Sequence, residues 1–254
     1  MGKSGESLMP KAYIGTSGYI YNHWSGVFYP EGLAKDKWLE YYCKFFDTVE
    51  LNVTFYCLPQ ETAFKNWYKR TPDNFIFTLK GSRFITHIKK LNDCEEPLEL
   101  FFNRAKHLKE KHKMILWQTP PNFKVDLERL EKFCGLLEKI SPPKLHHAFE
   151  FRHESWFCEE VYQILEKYNV ALVKGDYPLG IPQEDMPETA DFVYLRRHGP
   201  SDLYSSNYSD NQLKKDAKHI KNWLNNNKDV FVYFNNDADG FAIKNALKLK
   251  KMIK

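Results

Sequence analysis

About eight short apolar runs, each ending in charged or amide residues and most followed by an amphipathic stretch, recur along the chain. The endings are plainest in V-E-L-N at Val49 to Asn52, F-T-L-K at Phe77 to Lys80, L-W-Q at Leu116 to Gln118, F-E-F-R-H-E-S-W at Phe149 to Trp156, Y-L-R-R-H at Tyr194 to His198 and Y-F-N-N at Tyr233 to Asn236. Strand and helix in strict alternation imply βα units around a parallel sheet. A parallel strand delivers its last residues to the carboxyl edge of the sheet, where the βα loops gather. About eight strands and seven helices in 254 residues is what an α/β (β/α)8 TIM-type barrel requires. An open doubly wound sheet is the alternative, but its polar endings would collect at the crevice where strand order reverses, and here they fall on nearly every strand.

The expected strands are 12–18, 49–52, 75–80, 114–118, 147–151, 170–174, 192–196 and 229–234. Apolar spacings of three and four place helices through Trp38, Tyr41, Tyr42 and Phe45, through Leu98, Phe101, Phe102, Ala105 and Leu108, and through Leu127, Leu130, Phe133, Cys134 and Leu137. Asp126 is set to cap the last of these, and Ser209 with Gln212 forms a capping-box start further on. After the sixth strand the cadence breaks. Residues 175–190 carry Pro178, Pro182 and Pro187 without helical spacing, so an irregular crossover is expected there. Residues 1–10 read as a disordered leader, and with no Pro/Gly/Ser-rich linker in between, 11–254 read as a single barrel domain.

Composition narrows the function classes. A net charge of +4 without a clustered Lys/Arg tract argues against an electrostatic nucleic-acid arm, although a folded basic groove stays open. No run approaches ~20 consecutive apolar residues, which excludes a membrane partner of the helical kind. The five cysteines lack paired spacing, which suits a cytoplasmic protein rather than a disulfide scaffold. Neither G-x-G-x-x-G nor G-x-x-x-x-G-K-[ST] occurs, so no dinucleotide or Walker site is expected.

In a barrel the strand endings converge on one mouth. Glu50, Glu150 and His198 are then the candidate catalytic groups, because two carboxylates in different environments and an imidazole can divide acid, base and nucleophile roles. Arg152, Arg196 and Lys80 are candidates for holding an anionic group, since guanidinium clamps carboxylate or phosphate bidentately. Asn52, Gln118, Asp176, Asn235 and Asn236 are candidates for orienting a substrate, and Trp156 for stacking on it. The competing reading pairs the carboxylates with Arg152, Arg196 or Lys80 to stabilise the mouth, and packs Trp156 and Tyr19 in the core. Glu50, Glu150, Asp176 and His198 are adequate ligands for a divalent metal, but no metal-binding spacing supports them, and no cofactor is expected.

These motifs, taken together, resemble the YecE-like family, a domain of unknown function with a TIM-barrel-type fold. The resemblance rests on I-G-T-S-G-Y at Ile14 to Tyr19, F-Y-P at Phe28 to Pro30, V-E-L-N-x-T-F-Y at Val49 to Tyr56 and R-F-I-T-H at Arg83 to His87. It continues in Q-x-P-P at Gln118 to Pro121, E-F-R-H-x-S-W at Glu150 to Trp156, R-x-H-G at Arg196 to Gly199, Y-F-N-N, and N-A at Asn245 and Ala246. The resemblance implies the barrel and carries no established reaction. The functional expectation is acid/base chemistry on a small polar substrate, a sugar or a phosphate- or carboxylate-bearing molecule. The alternatives are a nucleic-acid-binding protein or metal-assisted phosphodiesterase, and a non-catalytic ligand sensor. The sequence does not specify the oligomeric state.

Overall fold

The computed structural model describes residues 9–178 and 186–254. Positions 1–8 of the expected leader and 179–185 of the expected crossover lie outside the described residues. The strands are β1 Ala12–Thr16, β2 Thr48–Leu51, β3 Ile76–Lys80, β4 His112–Gln118, β5 His146–Glu150, β6 Ala171–Leu172, β7 Lys174–Gly175, β8 Phe192–Arg197 and β9 Asp229–Phe234. The helices are α1 Trp38–Tyr42, α2 Val53–Tyr56, α3 Glu61–Lys69, α4 Glu95–Ala105, α5 Leu127–Ile140, α6 Glu159–Lys167, α7 Asp210–Asn225 and α8 Phe241–Ile253. Asp126 Oδ1 accepts the Arg129 N–H at 3.1 Å, and Ser209 with Gln212 closes the capping box, both as the sequence predicts. The first helix is shorter than its spacing suggests. It ends at Tyr42 and buries Trp38, Leu39 and Tyr42, followed by Phe46, leaving Phe45 exposed.

Every ladder is parallel. They form two arcs, a four-stranded one in the order β1-β9-β8-β7 and a five-stranded one in the order β2-β3-β4-β5-β6. The expected sixth strand is split at Val173: β6 pairs with β5, and β7 pairs with β8, so this strand passes the chain from one arc to the other. At the second seam, β1 meets β2 through one bridge, Ser17 to Glu50, supported by the Gly18 N–H on the Glu50 carbonyl at 2.7 Å. The arrangement is a (β/α) barrel type whose hydrogen-bonded ladder is interrupted at both seams rather than continuously closed. The chain runs from β7 to β8 through the expected crossover, of which 179–185 lie outside the described residues.

Alternation along each strand sorts side chains into two cores. Ile76, Met114, Leu116, Ala148, Val173, Phe192, Tyr194, Phe231 and Tyr233 form an inner cluster. Their strand neighbours Phe77, Leu79, Ile115, Phe149, Val193, Val230 and Val232 join the helix residues Leu98, Phe133, Val161, Leu165 and Ile220 in an outer cluster. A core with no helix residue in it is what strands curled around an axis produce, since both faces of an open doubly wound sheet are covered by helices. Higher in the interior the lining turns polar. The Tyr233 hydroxyl bridges Thr48 Oγ1 at 2.6 Å and Thr78 Oγ1 at 2.8 Å, making a hydroxyl floor beneath the strand endings.

Candidate functional site

Glu50, Lys80, Gln118 and Glu150 end strands of the five-stranded arc, while Arg196, His198 and Asn235 stand at strand ends of the other. The carboxylates therefore come from one arc and their cationic partner from the opposite one. Arg196 lies between them. Its Nε and Nη2 reach Glu50 Oε2 and Oε1 at 3.1 and 2.7 Å, and its Nη1 reaches Glu150 Oε2 at 2.7 Å. The Ser17 hydroxyl donates to Glu50 Oε1, and Tyr194 donates to Glu50 Oε2 at 2.5 Å. Burial would raise the Glu50 carboxyl, but Arg196 and these hydroxyls outweigh it and hold the group below its ordinary value.

Glu150 is treated the same way. Burial opposes its charge, yet Arg152, with Nη2 at 3.0 Å, Arg196 and His198 hold it well below the usual carboxylate range. His198 Nε2 donates to Glu150 Oε1 at 2.6 Å, and Asn235 Nδ2 donates to His198 Nδ1 at 3.2 Å. A proton on Nε2 suits Glu150 and Asn235, while Arg152 Nη2, 3.3 Å from the same nitrogen, turns its own hydrogen bond to Glu150. Burial lowers the imidazole below its ordinary value, Glu150 partly offsets this, and Arg196 and Arg152 lower it further. Gly199 follows at φ 125, where an added Cβ would lie 2.4 Å from the Asp202 carbonyl, so the turn after His198 accepts only glycine.

The groups without partners are different ones. Lys80 is buried, and among the described residues its ammonium makes no hydrogen bond or ion pair; it lies 4.4 Å from the centre of the Phe55 ring. Burial and then Arg196 pull its amine down to about 8, against the opposing pull of Glu150 and Glu50. Thr54 Oγ1 donates to the Lys80 carbonyl at 2.6 Å, and Gly81 passes so close to Trp117 that a Cβ there would sit 2.2 Å from the ring. The lysine backbone is held from both sides. Arg152 Nε and Asn52 Oδ1 are also buried without partners among the described residues, and the Arg152 guanidinium stacks 3.7 Å from the centre of the Tyr177 ring. Beside them, burial, Lys80, Arg83 and Arg152 depress the His87 imidazole to about 4.

Residues 13–254 match the family described as a protein of unknown function, DUF72. This chain belongs to the DUF72 family. It is 26% identical to the UPF0759 protein YunF of Bacillus subtilis strain 168 over 276 residues, covering 95% of this chain and 94% of that protein. It is 30% identical to the UPF0759 protein YecE of Escherichia coli K12 over 121 residues, covering 48% of this chain and 43% of that one. A crystal structure of a DUF72 family protein from Thermotoga maritima MSB8 superposes with a TM-score of 0.82 at 33% identity, covering 96% of this chain and 99% of that one.

For a DUF72 chain read from its sequence, the structure redistributes the expected roles. Glu50, Glu150 and His198, the expected proton-transfer groups, are saturated by hydrogen bonds and almost wholly buried, as the pairing alternative foresaw. Lys80, expected to hold an anion or to pair with a carboxylate, has no hydrogen-bond or ion-pair partner among the described residues. Asp176 positions rather than binds, because its Oδ1 accepts the His198 backbone N–H at 2.6 Å and its Oδ2 accepts the Tyr208 hydroxyl. Trp156 belongs to the outer core: it stacks on Phe151 at 4.5 Å and donates to the Phe123 carbonyl at 2.6 Å. Tyr19 is likewise buried, accepting from Trp67 at 3.2 Å. Asn236 points outward, opposite to Asn235, and clasps Ser206 and Asn245 at 2.8 Å each.

Gln118 stays half-buried at the end of β4, its amide donating to the Thr119 carbonyl at 3.3 Å. Sequence reasoning missed three members of the site. Tyr194 was legible, since it lies two residues before Arg196 and must share its face. Phe55 sits in the one-turn helix α2 and Tyr177 in the loop after β7, both too short for a periodicity to point to them. Among the described residues, no group of three or more His, Cys, Asp or Glu is arranged to hold a metal ion. A cavity of about 860 Å³ lies elsewhere, on the outer side of β7 and β8 against α7, lined by Lys174, Arg197, Asp216 and Trp223. It borders residues outside the described set, and its guanidinium is already paired, so the barrel mouth carries the stronger chemical case.

Proposed function

We propose that this protein is an enzyme binding a small substrate with a carboxylate or phosphate group at the barrel mouth, and acting on it through the Lys80 amine. One observation carries the reading: the Glu50 and Glu150 carboxylates are taken up by Arg196 and Arg152, and among the described residues the buried Lys80 ammonium beside them has no hydrogen-bond or ion-pair partner. Lys80 keeps 9% exposure, so its ammonium is reachable from the mouth, and an anionic ligand there supplies the counter-charge that the fold does not. Arg152 Nε, Asn52 Oδ1 and Gln118 are the remaining polar groups available to it. Glu50, Glu150, Arg196 and His198 are positioning residues that set the field. All five cysteines are free thiols, which supports a cytoplasmic setting, and no helix among the described residues is long and apolar enough to cross a membrane.

Sulfate, whose charge is constant near neutrality, tests the anion site by calorimetry. Affinity should fall roughly tenfold, about 1.4 kcal/mol, as pH rises through about 8 and Lys80 loses its proton. Lys80→Arg should flatten the profile, and Arg152→Gln should weaken binding at every pH. A panel of small carboxylates and phosphate esters then separates an enzyme from a sensor. Sulfate affinity indifferent to both substitutions would sink the site.

A further inference from the structure

The geometry points to Lys80 as a covalent group: its Nζ condenses with the carbonyl carbon of a small substrate that also carries a carboxylate or phosphate, an α-keto acid or a phosphorylated aldehyde or ketone. This rests on the anion-site reading above and adds the substrate class. A lysine that serves only as a counter-charge gains most from a fixed carboxylate partner, yet the mouth supplies its two carboxylates to Arg196 and Arg152. Nζ is left against the Phe55 ring with its lone pair, once deprotonated, engaged by no described donor. The backbone on either side is pinned by Thr54 and by the close approach of Gly81 to Trp117, so the amine is presented from a fixed strand end. Burial and the adjacent guanidinium of Arg196 lower its proton affinity, which keeps an appreciable share of the amine neutral near physiological pH. Arg152, with Nε unpaired, supplies a charged donor for the anionic end of the substrate.

The step balances without any further reagent. The neutral amine attacks the carbonyl carbon, forming the N–C bond as the C=O π pair moves to oxygen, which takes a proton. The carbinolamine then expels that oxygen as water, and the nitrogen lone pair forms the C=N bond. Counted from the ammonium, one carbonyl is consumed and one water released, with no net proton exchange, leaving an iminium that can draw electrons from the neighbouring carbon.

Trapping tests this directly on the full chain. The protein is incubated briefly with pyruvate or glyoxylate and cyanoborohydride, and the reduced adducts are mapped by peptide mass spectrometry. Lys80 should be modified at least tenfold faster than the exposed lysines, with a rate rising through about pH 8 and suppressed by sulfate. Lys80→Arg, which keeps the charge, should abolish the fast adduct while the exposed lysines react as before. Labelling of Lys80 no faster than the surface lysines overturns the inference. If sulfate still binds with the expected pH profile in that case, the anion site stands and only its covalent chemistry falls. If sulfate binding is absent as well, both fall.

Discussion

Arg196 and Arg197 are consecutive on β8, both buried and both paired to carboxylates, yet strand alternation sends them to opposite sides of the sheet. Arg197 faces outward and closes a fork-to-fork pair with Asp216 on α7, at 2.8 and 2.6 Å, so one charge meets one charge and the helix is fastened to the strand. Arg196 faces inward and is shared between Glu50 and Glu150, in a mouth that also holds Arg152, Lys80 and His198. The difference lies in what each pair leaves over. The outer pair is self-contained, whereas the inner network leaves an unpaired ammonium and an unpaired guanidinium N–H. Ionic residues buried in a fold can thus serve fastening or function, and the charge balance around them separates the two.

The largest effect should come from Arg196→Met, which strands the buried Glu50 carboxylate and takes one of two guanidinium partners from Glu150, and should cost ~3–5 kcal/mol in urea unfolding. The pH dependence should change sign with it. In the native protein Glu50 and Glu150 are held below their unfolded values, so their contribution is present above those values and lost as pH falls through the folded ones. Without the Arg196 guanidinium burial raises Glu50 instead, while Glu150 keeps Arg152 and His198, so the variant's deficit should shrink on acidification as Glu50 takes up its proton. Arg197→Met should cost less, ~1–3 kcal/mol, because the Asp216 side chain keeps 13% exposure, and the double variant Arg197→Met with Asp216→Leu should recover most of it. Equal losses for the two single variants would erase the comparison.

Smallest is Lys80→Met, which should stabilise the fold at pH 7 by ~1–3 kcal/mol, since a buried unpaired ammonium is removed. The folded amine sits at about 8 and the unfolded one at 10.5, so the unfolded chain binds the extra proton between them. Native stability from this residue therefore rises with pH across that window, and the advantage of Lys80→Met should fade by its upper end. A destabilised Lys80→Met at pH 7 would mean the ammonium is paired after all.

Much of the fold was legible because the period-2 and period-3.6 patterns are local. The caps at Asp126 and Ser209 and the run ending at Phe234 could be located residue by residue. The site was legible in membership, while its internal pairing was not. Alternation alone puts Glu50, Lys80, Glu150 and Arg196 on the inner face, but whether a carboxylate is free or spoken for depends on which strand stands across the barrel. Glu50 and Arg196 are 146 residues apart, and nothing local in either segment records that they meet. Trp156 was misplaced for the complementary reason: a tryptophan beside a polar strand end satisfies cleft and core patterns equally, and only its contacts with Phe151 and Phe123 decide.

The pairing of β1 with β9 bears on how the chain acquires its mouth. Ala12 is in register with Val230, so the first strand cannot find its ladder until nearly all of the chain has been made. Before that, a nascent chain can assemble the five-stranded arc with Glu50 and Glu150 in place and no guanidinium from the later arc to neutralise them. Arg152 follows β5 and can already serve Glu150, but Glu50 gains its guanidinium only when β8 arrives with the second arc. Translation order would make Arg196 a late arrival that locks a long-range topology, the slow step expected of high contact order.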